Sequence, residues 1–366
     1  MPILAAMAIS PRKIFLFLVF AGAIGLLLAF HKPSRKKLMQ APKLVFDSRN
    51  AGELKPPEGF DPTADTIPVV ISTDEGRLMG AIAAINSIAT NSKSPVKFYL
   101  ITDKDTKDHL EQWILKTRLH SINHEIIVFN EDWVKGKINV RGGRQELASP
   151  LNYARFYLPK LLPPDFNGKV LYLDDDVIVQ GDITQLYNTK IDETLVMAFS
   201  EDCNTVSNRF GLFMNTYANY INFGNENVKK LGMKPGTCSF NTGVFVANMT
   251  EWKNQKITTK LEFWTALNTE ENVYGAQQGG GGSQPPMMIV FYGQYSKIDP
   301  MWHIRHLGWT AGTRYSRQFI MEAKLLHWNG RFKPWGRTSQ HMDAWERYYI
   351  PDPTGKSQLT RKFRMF

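Results

Sequence analysis

The sequence predicts an α/β fold, one large domain on a mixed, mostly parallel sheet flanked by helices, and three observations carry that expectation. Short apolar runs of strand character alternate with stretches whose apolar residues recur at helical spacing. Such alternation predicts a parallel sheet with right-handed crossovers. One of the runs, Val170-Leu-Tyr-Leu173, ends in three consecutive acids, Asp174, Asp175 and Asp176, and open α/β sheets bind their ligands at the carboxyl ends of strands. The composition is that of an ordinary globular protein, with aromatic and aliphatic residues enough for a large core.

The elements follow in order. Residues 67–73 are a compact apolar run, read as the first strand. Residues 78–89 read as a helix, with Leu78, Ile82, Ile85 and Ile88 on one face. A strand over 96–101, a helix over 105–119 carrying Leu110, Trp113, Ile114 and Leu115, and a strand over 125–129 repeat the pattern. A helix over 151–162 leads into the strand that ends in the acids. Residues 195–200 and 243–248 complete the core strands, and a helix over 251–267 follows. Residues 277–284 read as a low-complexity loop. The folded domain is therefore expected over 67–355, with a short basic tail at 356–366.

The ends of the chain differ from its body. Residues 1–60 carry +6 of the net charge of +10 and residues 351–366 carry +3, leaving about +1 on 61–350. That distribution argues against a nucleic-acid footprint on the folded body. Residues 14–30 are uninterruptedly apolar, at the short end of the roughly 17–25 residues that span a bilayer. No clean small-residue cleavage site follows, so 14–30 reads as an uncleaved signal-anchor, with 1–13 a cytoplasmic tail and 31–66 a stem. Arg12 and Lys13 precede the span, whereas Lys32, Arg35, Lys36 and Lys37 follow it. The positive-inside rule alone therefore favours the opposite orientation. Asn248-Met-Thr250 is a glycosylation sequon, usable only in a luminal body. The expected location is the Golgi or endoplasmic reticulum membrane, with the folded body in the lumen. Cys203 and Cys238 either close one disulfide or remain two buried small side chains, and two thiols so spaced build no metal site.

Chemistry concentrates in two distant segments. Adjacent carboxylates repel, and they persist where a hard divalent cation or another strong partner neutralises them. Strand alternation sets Asp174 and Asp176 on one face and Asp175 on the other, the spacing of two carboxylates sharing one metal. Far downstream, His327 ends an apolar run, and its imidazole is placed to complete the set; oxygen ligands plus one imidazole suit Mn²⁺ better than Mg²⁺ or Zn²⁺. Gly330 permits close backbone approach, and Lys333 offers a point charge to a phosphate ahead of the turn at Pro334. Trp328 and Trp335 read as packing residues. Repulsion among the acids predicts that Asp176→Ala abolishes metal-dependent nucleotide binding while the metal-free melting temperature holds or rises.

Five motifs in order, Val69-Val-Ile-Ser-Thr-Asp74, Asn152-Tyr-Ala-Arg-Phe-Tyr157, Leu171-Tyr-Leu-Asp-Asp-Asp-Val177, Phe240-Asn-Thr-Gly-Val244 and His327-Trp-Asn-Gly-Arg-Phe-Lys-Pro-Trp335, resemble glycosyltransferase family 8, and within it the animal glycosyltransferase 8 domain-containing proteins. The resemblance covers essentially all of 67–355. It implies a GT-A fold and retaining transfer of a hexose or related sugar from a UDP-sugar to an acceptor hydroxyl on a glycan, protein or lipid.

Carried over by position, the resemblance makes Asp174, Asp176 and His327 the ligands of Mn²⁺, with Mg²⁺ second. Lys333 and Gly330 would hold the diphosphate. Ser72, Thr73 and Asp74 would line the uridine pocket, and Asp175 joins the donor-binding set. Arg155 would contact the donor sugar or phosphate, and Asp202 and Asn241 the sugar hydroxyls. Asp202 is the only candidate for a covalent nucleophile, and an internal return without one fits better. One departure stands out. Relatives carry an Asp-Gln-Asp segment near the anomeric carbon, and the corresponding stretch around Gln284 lacks it. Two other readings stay open: a silent UDP- or sugar-binding protein on the same fold, and a haloacid-dehalogenase-like phosphatase. A homodimer is also left open.

Overall fold

A computed structural model describes residues 52–140, 145–203, 215–275, 282–309 and 315–359. Its strands are β1 (Ile67–Ser72), β2 (Val96–Thr102), β3 (Asn123–Val128), β4 (Lys169–Asp174), β5 (Val177–Val179), β6 (Met197–Glu201), β7 (Phe240–Asn248), β8 (Ser296–Lys297) and β9 (Leu325–His327). Seven of them form one sheet in the order β3-β2-β1-β4-β7-β6-β8, while β5 and β9 pair separately. β1 runs parallel to β2 and β4, and β2 to β3; β7 is antiparallel to both β4 and β6. The expected mixed, mostly parallel sheet is thus present among the described residues.

The centre of the sheet is buried on both faces. Along β4, Leu171 and Leu173 join the apolar cluster that holds Ile82 and Trp113, whereas Val170 and Tyr172 join the one that holds Phe199 and Trp252. Alternate side chains of a strand point to opposite faces, so a strand covered on both sides reads as a continuous apolar run. Burial of each large aromatic or aliphatic side chain contributes roughly 1.5–3 kcal/mol. The first crossover helix, Leu78–Asn91, presents Leu78, Ile82, Ile85 and Ile88 to the core, and all four are fully buried.

Several helices differ from the sequence expectation for identifiable reasons. The segment expected as one helix over 151–162 is a 3₁₀ helix, Pro150–Tyr157, followed by a single α turn, Leu158–Leu161. Pro159 lacks an N–H and its ring crowds the carbonyl four residues back, which interrupts α-helical bonding there. The helix expected over 105–119 ends at Leu115; the Thr117 hydroxyl donates to Trp113 O at 2.8 Å and a 3₁₀ turn follows. The helix expected over 251–267 is two, Met249–Asn254 and Ile257–Glu270, divided at Lys256, whose φ of 54° is left-handed. Part of the expected loop over 277–284 lies outside the described residues, but Gln284 opens a helix, Gln284–Val290, that pattern alone did not suggest.

The tail over 1–13, the anchor over 14–30, residues 31–51 of the stem and residues 360–366 lie outside the described residues. Among the described residues no helix is long and apolar enough to cross a membrane. The end of the stem is tied to the body: Leu54 packs against the core, and Asp61 N donates to Lys93 O at 2.8 Å.

Candidate active site

β4 ends at Asp174, and Asp175 and Asp176 form the turn into β5. Strand alternation therefore does not carry Asp176 onto the face of Asp174, contrary to the expectation; the turn does. β5 pairs antiparallel with β9 in the register that sets Val177 opposite His327. Trp328 N donates to Asp176 O at 2.9 Å, locking that end of the pair. In this way an imidazole from the far end of the sequence reaches the acids. One ligand atom from each of Asp174, Asp176 and His327 falls within a span of 4.8 Å. His327 Nε2 lies 2.9 Å from Asp176 Oδ1 and 3.7 Å from Asp174 Oδ2.

This donor set fits a divalent cation. Asp176 Oδ1 is buried against His327 Nε2, and two ligand atoms held so close out of water form an arrangement that a divalent cation would complete. Asp176 and His327 are buried, whereas a quarter of the Asp174 side chain is exposed, so the set opens on its Asp174 side. Gly243 in β7 closes the other side: a Cβ there would overlap Asp174 Oδ2 and His327 Cε1. Gly243 belongs to a recognised motif, yet its role against the acids was not legible in the sequence.

Each acid also has its own cation. Arg155 donates to Asp174 Oδ1 at 2.8 Å. Arg77 donates through Nε to both oxygens of Asp175, at 2.8 and 2.7 Å, and its Nη2 approaches Asp176 Oδ2 at 3.1 Å. Lys333 Nζ donates to Asp176 Oδ2 at 2.5 Å and to Trp328 O at 2.7 Å. Burial pushes the Asp176 carboxyl up, but Lys333, His327 and Arg77 together hold it well below its ordinary value. Burial draws the Lys333 ammonium down, against the pull of Asp176. This balance corrects the expected effect of Asp176→Ala. The acids do not simply repel, and losing Asp176 strands a mostly buried lysine, so the metal-free protein should lose stability.

The acids, His327, Lys333 and Gly330 lie on a cleft of about 800 Å³, lined also by Ser72, Thr73, Asp74, Arg155 and Asn241. Ser72 Oγ donates to Leu151 O at 3.0 Å, which holds the end of β1 against the 3₁₀ helix carrying Arg155. Burial raises the Asp74 carboxyl above its ordinary value. Arg155 is buried over the Tyr172 ring at 4.6 Å and donates to Thr242 O at 2.5 Å. Its contact with Asp174 aligns one acid of the candidate cation site. The close approach that Gly330 permits is to the chain itself, because a Cβ would overlap the backbone of Gly308. Asn241 Nδ2 donates to Gln284 Oε1 at 3.2 Å, so Gln284 reaches the cleft although the Asp-Gln-Asp segment is absent.

Two of the expected residues lie elsewhere. Asp202 is not among the described residues lining the cleft. It is buried, with Arg305 Nη1 at 2.6 Å from Oδ1 and the Ser239 hydroxyl donating to Oδ2. Asn248 ends β7 and caps the next helix, accepting from Thr250 N at 3.1 Å and Glu251 N at 3.3 Å. Cys203 and Cys238 are joined in a disulfide beside the Asp202–Ser239 contact. Trp328 and Trp335 pack as expected: Trp328 is fully buried, and Trp335 lies against Gly80. Sequence reasoning missed Arg77 and His303. Arg77 follows the end of β1 by five positions, a signal that was available; His303 carries none.

Solved structures share this architecture. The galactosyltransferase LgtC, in a complex with donor and acceptor sugar analogs, matches with a TM-score of 0.55 at 19% identity, over 77% of this chain and 94% of that one. The glycosyltransferase GlyE of Streptococcus pneumoniae TIGR4 matches with a TM-score of 0.51 at 22% identity, over 78% of this chain and 61% of that one. The fold is therefore that of the GT-A glycosyltransferases. The family model described as glycosyl transferase family 8 matches residues 68–339, and the chain belongs to that family. Human glycosyltransferase 8 domain-containing protein 1 is 50% identical over 307 residues, 83% of this chain and 82% of its own length. Human glycosyltransferase 8 domain-containing protein 2 is 46% identical over 352 residues, 95% of this chain and 98% of its own length. Family membership overturns the phosphatase reading.

Proposed function

We propose that this protein transfers a hexose or related sugar from a UDP-sugar to an acceptor hydroxyl with retention, dependent on a divalent cation. The observation that carries the proposal is the convergence of Asp174, Asp176 and His327 on the cleft, with Asp176 Oδ1 buried against His327 Nε2. Mn²⁺ suits two carboxylates and an imidazole best, with Mg²⁺ second. When bound, the cation supplies Lewis-acid stabilisation of the departing diphosphate. Lys333, on the same acid, adds fixed positive charge for that leaving group. Ser72, Thr73 and Asp74, at the carboxyl end of β1, take the uridine. Asn241 and Gln284, bonded to each other, face the donor sugar. The ion pair of Asp202 with Arg305 supports a route without a covalent intermediate.

The disulfide and the sequon favour an oxidising lumen, and residues 14–30 favour anchorage in a Golgi or endoplasmic reticulum membrane. The acceptor is a glycan, protein or lipid hydroxyl.

Calorimetric titration with UDP, with and without Mn²⁺, followed by UDP release from UDP-glucose, UDP-galactose, UDP-xylose and UDP-glucuronate, tests the reading. Metal-dependent binding and release from one donor are expected. UDP binding without turnover of any donor, in the presence of simple glycoside acceptors, would leave a binding protein and sink the enzymatic reading.

A further inference from the structure

We propose that His303 is a positioning residue for the metal site: its Nε2 accepts the Nδ1 proton of His327, leaving His327 Nε2 bare toward Asp174 and Asp176. The inference rests on the divalent-cation reading above and assigns a role to a residue outside the ligand set.

The backbone sets the pair. Ile304 forms a parallel bridge with Leu326, Ile304 N donates to Leu325 O at 2.9 Å, and His327 N donates to Ile304 O at 2.8 Å. The segment carrying His303 is therefore zipped alongside β9. His303 is 1% exposed, and its ring meets that of His327 edge to edge and nearly coplanar, with centroids 5.1 Å apart and planes 14° apart. His303 Nε2 and His327 Nδ1 are 2.8 Å apart.

Only two arrangements of one shared proton satisfy that 2.8 Å contact. If His303 donates from Nε2, neutral His327 carries its own proton on Nε2, facing the two acids, and offers no lone pair there. If His303 accepts, His327 carries its proton on Nδ1 and presents the Nε2 lone pair to the acids. The second arrangement puts the remaining His303 proton on Nδ1. That atom is buried without a hydrogen-bond partner among the described residues. An unpaired buried N–H is unfavourable, so this arrangement is the one that a bound cation selects by taking the His327 Nε2 lone pair. Metal-ligating histidines are commonly oriented through their other ring nitrogen, and loss of such a partner weakens metal affinity about 10–100-fold.

Mn²⁺ affinity of the purified chain, read from the electron paramagnetic resonance of free Mn²⁺, tests this in wild type, His303→Leu and His303→Gln. His303→Leu should weaken binding about 10–100-fold, and His303→Gln, whose amide oxygen can accept the same proton, should recover most of it. Circular dichroism confirms that each variant is folded. Undiminished affinity in folded His303→Leu overturns the inference alone; a wild type that binds no Mn²⁺ overturns the metal reading along with it. Should His303→Leu not fold, ¹⁵N spectra of histidine-labelled, Mg²⁺-loaded wild type decide. His303 protonated on Nδ1 supports the assignment, and His303 protonated on Nε2 refutes it.

Discussion

Asp176 and Asp202 are both buried acids just past the carboxyl ends of like-directed strands, β4 and β6, and both are paired with arginine. Their surroundings diverge from there. Asp202 has Arg305 on one oxygen and the Ser239 hydroxyl on the other, and a disulfide joins the two chain segments beside it. Asp176 has Lys333 and Arg77 on Oδ2, but Oδ1 has no arginine or hydroxyl of its own and is left facing an imidazole nitrogen and a second carboxylate beside an open cleft. Position at a strand end and acidity are common to both. What separates a binding centre from a structural pair is an acceptor left incomplete where a ligand can reach it. Low dielectric makes both arrangements strong when complete and costly when broken.

The comparison can be broken most sharply at Asp174. Asp174→Asn keeps an acceptor for Arg155 but removes a metal-binding charge, so metal-dependent UDP release should fall at least about a hundredfold, roughly 2.7 kcal/mol, with little change in melting temperature. Unchanged release would remove the centre from the chemistry. At the other acid, Arg305→Leu leaves Asp202 buried without its countercharge. Stability measured by urea unfolding should drop by about 3–5 kcal/mol, while Mn²⁺ affinity stays within about threefold of wild type. Loss of Mn²⁺ binding without loss of stability would show that the two acids are not independent.

Asp176→Ala sharpens the contrast from the other direction. It should abolish Mn²⁺ binding and also destabilise the metal-free protein by about 1–3 kcal/mol, less than at Arg305 because Arg77 is a third exposed and Lys333 partly so. Adding Lys333→Met should restore part of the loss in a double-mutant cycle. A melting temperature that rises in Asp176→Ala alone would return the site to simple carboxylate repulsion. The smallest effect is expected at Gly243→Ala. The added methyl crowds Asp174 and His327 and should weaken Mn²⁺ about tenfold, roughly 1.4 kcal/mol, with a stability loss of about 1 kcal/mol from overpacking.

Much of this was legible in the order of residues. The strands over β1, β2 and β4 follow from apolar runs buried on both faces, and the two helices on either side of β2 from helical spacing. The convergence of Asp174, Asp176 and His327 was legible too, because acids at a strand end and a histidine ending a second apolar run are local patterns. The route to the trio was not. A strand was expected to align Asp174 with Asp176, and a turn does so instead. The 3₁₀ helix at Pro150–Tyr157 was also missed, although Pro159 stands in plain view.

By itself, the sequence determined which segments could be strands and helices, that acids would stand at the end of one of them, and that family 8 motifs run along the body. Those are short-range properties, set by periodicity and residue type within a few positions. The pairing of β5 with β9, the placement of Arg155, Arg77 and Lys333 on the acids, the closure of Asp202 by Arg305, and the contact of His303 with His327 were decided only in three dimensions. Each joins residues whose separation carries no periodic signal, so only the register of packed strands brings them together.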